Sequence, residues 1–447
     1  MDRLFGTDGM RGKAGDFPLD PNSLHALGRA LIGRLEREGL PLRVLIGRDT
    51  RESGPWIEQA IYQGLLESGG EPVTAGVIPT SAISLLSVQH GFSAGIVISA
   101  SHNPFQDNGI KIFSSHGTKI PEDWELELEL AVRGARDDIV VKEIPPTPDL
   151  SLSRDYMDFL TGLFRPGTFE RPFKIVLDCS NGAASGVAEQ VFTRLGAEVR
   201  TIHDSPDGKN INAGCGSLHP EILTKTVQEY GADLGVAYDG DADRCLWVDE
   251  SGRLLNGDHT LYVLAGHMLE DNRLQSSTVV ATAMSNMGLE IALSGRGLNL
   301  HRARVGDKFV LEDMLRLGSN LGGEQSGHTI LLDDCPTGDG ILTSIRMSEV
   351  MAETGASLSE LVADYREFPQ ILLNVPVRRK EAFDRFPDIE ETVSSVQEEL
   401  GGEGRINLRY SGTEPLARVM IEGRDPGIIE NGARRIAAAV TRHLGNE

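Results

Sequence analysis

Short apolar runs that stop abruptly in small, polar loops recur along this chain, with room for a helix between successive runs. Val44-Leu45-Ile46 leads into Gly47-Arg48-Asp49-Thr50-Arg51, and Ala94-Gly95-Ile96-Val97-Ile98 into Ser99-Ala100-Ser101-His102-Asn103-Pro104. Lys174-Ile175-Val176-Leu177 leads into Asp178-Cys179-Ser180-Asn181-Gly182, Leu234 to Tyr238 into an acidic loop, and Val279-Val280-Ala281-Thr282 into Ser285-Asn286. Continuous apolar runs of this length suit strands buried on both faces, so the order predicts α/β layers with parallel or mostly parallel sheets. The intervening helices are legible too. Asp20 is a cap and Pro21 a first helical residue, and Leu24, Leu27, Leu31 and Leu35 form a core stripe. Ile57, Ile61 and Leu65 mark a second helix.

The pattern is punctuated. Pro145-Pro146-Thr147-Pro148 reads as a linker, and the order of elements restarts near Lys174 and again after Glu250-Ser251-Gly252. From about Phe368 the character changes to strands at Ile371–Val377, Arg405–Tyr410 and Ala417–Glu422, with a last helix burying Ile429, Ile436 and Val440. That is a smaller α+β unit. Boundaries follow at 1–150, 151–255, 256–367 and 368–447.

Composition narrows the class. The 447 residues carry a formal net charge of -23, which opposes nucleic acid and anionic membranes, so any basic cluster around an anionic substrate must be local. No apolar run approaches a membrane span, and the first residues lack a secretory apolar core, so a soluble cytoplasmic protein is expected. Cys179, Cys215, Cys245 and Cys335 form no C-x-x-C and read as reduced thiols rather than a zinc or disulfide framework.

Four stretches carry chemistry. In the first, a buried strand delivers Ser101 to an exposed loop, and Asp107-Asn108-Gly109 reads as a turn that brings Lys111 back beside it. Most serines in such loops are capping or solvated, and locally that reading stands. In the second, Asp239, Asp241 and Asp243 stand at alternate positions after a strand, where an extended backbone points all three to one side. Three such carboxylates repel unless a cation lies between them, and an all-oxygen set suits Mg²⁺. Glu250 mimics the last ligand of an EF-hand, but Arg244 stands where that loop needs Gly and a strand precedes it. A solvated acidic turn is the bland alternative. The third stretch, Gly322-Gly323-Glu324-Gln325-Ser326-Gly327-His328, offers hydrogen-bonding groups for hydroxyls, though Gly-rich loops are common. In the fourth, Arg409-Tyr410-Ser411-Gly412-Thr413-Glu414-Pro415, an Arg, two hydroxyls and a Gly turn could cradle a phosphate or merely close a hairpin. At the N-terminus, Phe5-Gly6-Thr7-Asp8-Gly9-Met10-Arg11-Gly12 is a tight loop in which Arg11 could hold an anion or be solvated.

Together, and in this order, these motifs resemble the α-phosphohexomutases over nearly the whole chain. The resemblance implies three consecutive α/β domains with mixed sheets and a smaller C-terminal α+β domain around a central active-site cleft. It implies that Ser101 carries a phosphoryl group and, with Asp239, Asp241 and Asp243, binds one Mg²⁺. Ser101 would be charged by a hexose 1,6-bisphosphate or by a kinase. Lys111 is the candidate for acid/base assistance, Arg11 and Arg244 for phosphoryl stabilisation, and His102 and His328 for proton or hydrogen-bond roles. Glu324 and Ser326 would bind the sugar. Arg409, Ser411, Gly412, Thr413 and Arg418 would hold the non-reacting phosphate. The Glu-Gln-Ser-Gly-His loop, Val305-Gly306-Asp307-Lys308, Cys215-Gly216-Ser217 and Phe368-Pro369-Gln370-Ile371 resemble the glucosamine type, which commonly has Arg where this chain has Lys308. The implied reaction interconverts glucosamine 6-phosphate and glucosamine 1-phosphate through a bisphosphate. The alternatives are the mannose/glucose type of the same family, a phosphoserine-dependent sugar phosphatase and a non-enzymatic Mg²⁺- or Ca²⁺-binding module. The partner is a small hexosamine phosphate, with no nucleic acid or membrane, and a homodimer remains open.

Overall fold

In the computed structural model, which describes residues 3–135, 139–141, 146–164, 169, 173–411 and 415–445, four sheets follow one another along the chain. The first contains β1 (Phe5–Gly6), β2 (Gly9–Lys13), β3 (Arg43–Arg48), β4 (Glu71–Val77), β5 (Ala94–Ile98) and β6 (Asp107–Ser114), in the order β1-β2-β6-β5-β3-β4. The second contains β7 (Lys174–Asp178), β8 (Glu198–Ile202), β9 (Leu234–Tyr238), β10 (Cys245–Asp249) and β11 (Leu254–Leu255), in the order β11-β10-β9-β7-β8. The third, β12 (Thr278–Thr282), β13 (Asn299–Ala303), β14 (Leu321–Gly323) and β15 (Thr329–Leu331), runs β13-β12-β14-β15. The last is the antiparallel set β16 (Gln370–Pro376), β17 (Gly404–Tyr410) and β18 (Leu416–Gly423), ordered β16-β18-β17 and packed against helices Pro387–Leu400 and Pro426–Leu444.

The first three sheets are mixed rather than mostly parallel. β3 is parallel to β4 and β5, but β5–β6 and β2–β6 are antiparallel. The reason lies in the connections. A parallel neighbour needs a crossover of a dozen or more residues, and residues 99–106 are too few to supply one. β9–β10 and β14–β15 turn back for the same reason.

The Asp107-Asn108-Gly109 turn is also corrected. These residues begin β6, pairing Asp107, Asn108 and Gly109 with Lys13, Gly12 and Arg11. A Cβ at Gly109 would lie 2.6 Å from the Ser99 carbonyl oxygen, so a close strand approach, not a turn, requires glycine there. Lys111 nevertheless returns beside the serine loop, because it faces Val97 across β5–β6.

Helix Pro21–Arg37 starts as expected, with the Asp20 side chain accepting from Ser23 N at 3.0 Å. Its four stripe leucines are fully buried. One continuous apolar core runs from the underside of the first sheet, through Tyr156, Leu177 and Trp247, to Leu264 and Ile345. The C-terminal unit has a core of its own. Pro145 of the linker lies outside the described residues; beyond it, Asp149 N donates to Thr74 O of β4 at 2.8 Å. Among the described residues no helix is long and apolar enough to cross a membrane.

Candidate active site

Ser101 follows β5, and its backbone is left-handed, with φ +52°. It is not exposed as the loop pattern suggested. Its exposure is 0 %, and its Oγ donates to Asp239 Oδ2 at 2.5 Å. The conformation is held from both sides. Ser101 N donates to Ser99 Oγ at 2.9 Å, and Ser99 Oγ donates to Asp49 Oδ2 at 2.6 Å. Arg51, also fully buried, spends its whole guanidinium on this loop. Nε donates to Asp49 Oδ2 (2.8 Å), Nη2 to Ser101 O (2.9 Å) and Asn103 O (2.8 Å), and Nη1 to Asp107 O (3.0 Å) and Pro104 O. Asn212, from the second sheet's loops, donates Nδ2 to the same two carbonyls, Ser101 O at 2.9 Å and Asn103 O at 3.0 Å.

The acidic stretch is a hairpin loop between the paired residues Tyr238 and Cys245, not an extended strand. Ala242 is left-handed, with φ +57°, and its carbonyl accepts from Gly340 N at 2.9 Å. The turn, rather than strand alternation, gathers the carboxylates. One oxygen from each of Asp239, Asp241 and Asp243 lies within 4.8 Å of the others, and all three side chains are buried. Asp241 Oδ1 and Asp243 Oδ1 are buried without a hydrogen-bond partner. Buried carboxylate oxygens left unpaired in an all-oxygen cluster fit a hard divalent cation such as Mg²⁺. Burial and then the charges of Asp243 and Asp241 push the Asp239 carboxyl well above its usual range.

Lys111 enters from the other side. Its buried Nζ lies 2.9 Å from Asp241 Oδ2, 3.0 Å from Asp243 Oδ2 and 3.3 Å from Asp8 Oδ2. Burial alone would lower its pKa, but Asp241, Asp243 and Asp8 hold it well above the ordinary lysine value. In this arrangement it is a fixed cation and a potential proton donor, not a base. Asp8 also pairs with Arg11 and, at 2.8 Å, with Lys119, whose Nζ is 2.7 Å from Asp307. A bridge of alternating charge thus joins the first α/β layer to the third.

His102 Nδ1 lies 3.3 Å from Ser101 Oγ and 3.5 Å from Arg244 Nη1. Burial, then the like charges of Arg244 and Arg11, lower its pKa to about 4, so the ring is neutral near pH 7. Arg11 Nη1 reaches Asn103 Oδ1 at 3.5 Å, and Arg244 N donates to Asp239 Oδ1 at 3.2 Å. The two guanidiniums therefore flank the Ser101–His102 edge.

The Gly-rich loop closes on the acidic turn. Arg244 and His328 form an antiparallel bridge, and Cys245 N donates to Gly327 O at 3.2 Å. His328 Nδ1 lies 3.7 Å from Asp243 Oδ1, while Nε2 accepts from Gly338 N at 3.2 Å. That contact places the ring proton on Nδ1, facing Asp243. Glu324 Oε1 accepts from Gly306 N at 3.1 Å, and Ser326 Oγ, exposed, donates to Glu324 Oε2 at 3.1 Å.

The fourth group sits on the C-terminal unit. Arg409 faces Arg418 across β17–β18, and Arg418 Nη2 donates to Ser411 Oγ at 3.4 Å. Burial and then the neighbouring Arg418 charge lower the Arg409 pKa, the signature of adjoining cations suited to an anion. Gly412 and Thr413 lie outside the described residues.

Four domain models of the phosphoglucomutase/phosphomannomutase family match the chain in order. The α/β/α domains I, II and III match residues 2–137, 154–252 and 256–368, and the C-terminal domain matches 372–439. The phosphoglucosamine mutase of Koribacter versatilis (strain Ellin345) is 46 % identical over 453 residues, covering 99 % of this chain and 97 % of that one. The chain belongs to the phosphohexomutase family. In fold it is similar to a phosphoglucomutase/phosphomannomutase family protein from Burkholderia thailandensis, at TM-score 0.80 and 22 % identity over the full length of both chains. It is also similar in fold to the Aspergillus fumigatus N-acetylphosphoglucosamine mutase solved with GlcNAc-6P and magnesium (TM-score 0.69, 19 % identity, covering 98 % of this chain and 96 % of that one).

Several residues that shape this phosphohexomutase site were not singled out from sequence: Asp8, Asp49, Arg51, Lys119 and Asn212. The signal for two of them was present, since Asp49 and Arg51 are charges in a strand-end loop, where functional groups gather. Nothing local marks Lys119 or Asn212. Lys308, by contrast, faces Glu125 at 3.5 Å and lines a cavity of about 760 Å³ with Thr7, Lys119 and Asp307. That cavity borders the site across the Asp8–Lys119–Asp307 bridge and contains neither Ser101 nor the three aspartates.

Proposed function

We propose that this chain interconverts glucosamine 6-phosphate and glucosamine 1-phosphate, with Ser101 carrying the phosphoryl group. The observation that carries the reading is the buried Ser101 Oγ, 2.5 Å from Asp239 in the carboxylate cluster and 3.3 Å from a neutral His102. The substrate follows from the relatives named phosphoglucosamine mutase that match the whole chain.

Before turnover, Ser101 is phosphorylated by a hexose 1,6-bisphosphate or a kinase. The Ser101 phosphoryl group then passes to the free hydroxyl of the bound sugar phosphate, giving glucosamine 1,6-bisphosphate and a free serine. His102 Nδ1, 3.3 Å from Ser101 Oγ, is placed to relay the proton of the attacking hydroxyl onto the departing serine oxygen. The bisphosphate turns around, and its other phosphoryl group returns to Ser101 Oγ, whose proton passes through the same imidazole to the sugar oxygen that loses the phosphoryl group. Asp239, Asp241, Asp243 and the phosphorylated Ser101 would hold Mg²⁺, which supplies positive charge to the transferring phosphoryl oxygens. Arg11 and Arg244 add fixed charge on the flanking side, and Lys111 keeps the acidic groups in place. Glu324 and Ser326 bind sugar hydroxyls. Arg409, Ser411 and Arg418, with Gly412 and Thr413, grip the phosphate that does not react. This second grip favours a mutase over a phosphatase, because a hydrolase need not hold both ends of a bisphosphate.

The test is turnover of the primed, Mg²⁺-supplied protein on the 1- and 6-phosphates of glucosamine, glucose and mannose. Glucosamine phosphates are expected to turn over fastest. Preference for glucose or mannose phosphates would assign the other branch of the family, and release of inorganic phosphate without isomerisation would assign a phosphatase.

A further inference from the structure

Behind the serine loop, at the ends of β7 and β8, a second group of ligating side chains converges. Asp178 closes β7, His203 follows β8, and Cys215 lies in the loop that carries Asn212. One atom from each, a carboxylate oxygen, an imidazole nitrogen and Sγ, lies within 4.8 Å of the others. The backbone is arranged to bring them there. His203 is left-handed, with φ +49°, and its carbonyl accepts from Asn181 N at 2.6 Å. Asp178 Oδ2 accepts from Gly216 N at 3.0 Å, tying the Cys215 loop to β7.

His203 Nδ1 is the telling atom. It is buried and 3.0 Å from Asp178 Oδ2, and that carboxylate holds the imidazole above its ordinary pKa. Cys215 Sγ lies 3.9 Å from Asn181 Nδ2 and 4.0 Å from Asn210 O. A carboxylate, an imidazole and a thiol in one pocket are ligands for a borderline-soft cation, whereas the all-oxygen cluster at Asp239 suits a hard one.

We propose that Asp178, His203 and Cys215 form a binding site for a divalent cation of the Zn²⁺ class, distinct from the catalytic metal site. Tetrahedral zinc bonds of about 2.0–2.3 Å put neighbouring ligand atoms roughly 3–4 Å apart, so the cluster needs only a small closure. Burial and then Asp178 push the Cys215 thiol up to about 11, so the cation-free cysteine is a thiol. Binding releases that proton, and His203 binds through Nδ1 with its proton on Nε2. The consequence reaches the active site through Asn212. Its N donates to Ser180 O at 3.0 Å, its Oδ1 accepts from Ser180 Oγ at 2.9 Å, and its Nδ2 holds Ser101 O and Asn103 O. A cation bridging β7, β8 and the Asn212 loop fixes that grip on the catalytic loop.

The test is a Co²⁺ titration of the full-length, metal-stripped protein, read by near-ultraviolet absorption. A thiolate-to-cobalt band that saturates at one equivalent and is displaced by Zn²⁺ is expected. An all-oxygen site cannot produce this band, so the readout is independent of turnover and of the mutase reading. Asp241→Asn should keep the band, Cys215→Ser should lose it, and His203→Gln should weaken Co²⁺ binding at least tenfold. Zn²⁺ should also protect Cys215 from alkylation in the unmutated protein, which keeps the test decisive if Cys215→Ser does not fold. Absence of the band, its persistence in Cys215→Ser, or unchanged alkylation of Cys215 with Zn²⁺ would overturn the proposal.

Discussion

The guanidinium of Arg51 donates to the main-chain carbonyl of Ser101 at 2.9 Å, with both residues fully buried. The same group also reaches Asn103, Pro104 and Asp107 oxygens and the Asp49 carboxylate. A planar fork with five N–H groups can serve all of these, whereas an ammonium cannot. Arg51→Lys is therefore expected to lower kcat about 10- to 100-fold with KM nearly unchanged, because it loosens the loop that carries the proposed phosphoryl acceptor Ser101 rather than a sugar contact. Steady-state kinetics check this; an unchanged kcat would show that the clamp is dispensable.

Ser99 and Ser101 separate in role although their local sequence is alike. Ser101→Ala should abolish phosphorylation and isomerisation. Ser99→Ala should keep phosphorylation at Ser101 but lose about 1–3 kcal/mol of stability, since the Ser101 N–H and the Asp49 carboxylate both lose a buried partner. Mass-spectrometric mapping and urea melts of the two variants test the pair, and phosphate on Ser99 would reverse the assignment.

Lys111 pairs with three carboxylates at once. Removing one partner of a buried ion pair costs about 3–5 kcal/mol, so Lys111→Met should unfold at markedly lower urea. Added Mg²⁺ should restore stability to this variant more than to the parent, because Asp241 and Asp243 then lack the ammonium that lies about 3 Å from both. Equal Mg²⁺ responses in the two proteins would count against a shared carboxylate cluster.

Asp258 offers a pH test away from the phosphoryl site. Its Oδ2 accepts from Asn286 N at 2.8 Å, but Oδ1 is buried without a partner, and burial pushes its pKa to about 7. A folded-state acid pKa above the unfolded value means the folded state holds the proton longer, so this group's contribution falls as pH rises through that interval and is level above it. Asn keeps an acceptor for Asn286 without the charge. Asp258→Asn should match the parent near about pH 4 and exceed it by up to about 4 kcal/mol above about pH 7. Thermal melts across pH check the divergence; parallel curves would mean Asp258 is not destabilised by burial.

Much of the site was legible because its chemistry is written in short contiguous motifs. The Ser99–Pro104 run meets the Asp239–Arg244 run at the serine, and the Gly322–His328 run closes on that acidic loop. Local conformation was less legible. Asp107-Asn108-Gly109 carries turn residues but pairs with β2, because a strand from the chain's first residues overrides local propensity. Alternation suggested an extended acidic strand, whereas a left-handed Ala242 makes the turn that clusters the carboxylates.

By itself the sequence determined the α/β layering, the capped first helix and the chemical types of the candidate site residues. These depend on apolar periodicity, cap residues and side-chain type, all of which act over a few neighbouring residues. Only the tertiary structure decided which distant groups share a charge or a carbonyl. Lys111 meets Asp241 and Asp243 across about 130 residues, and Lys119 meets Asp307 across 188. Arg51 and Asn212 reach the same two oxygens from different sheets. Such pairings follow from how the sheets pack against one another, because burial makes each charge and each carbonyl find a partner wherever the fold brings one within reach.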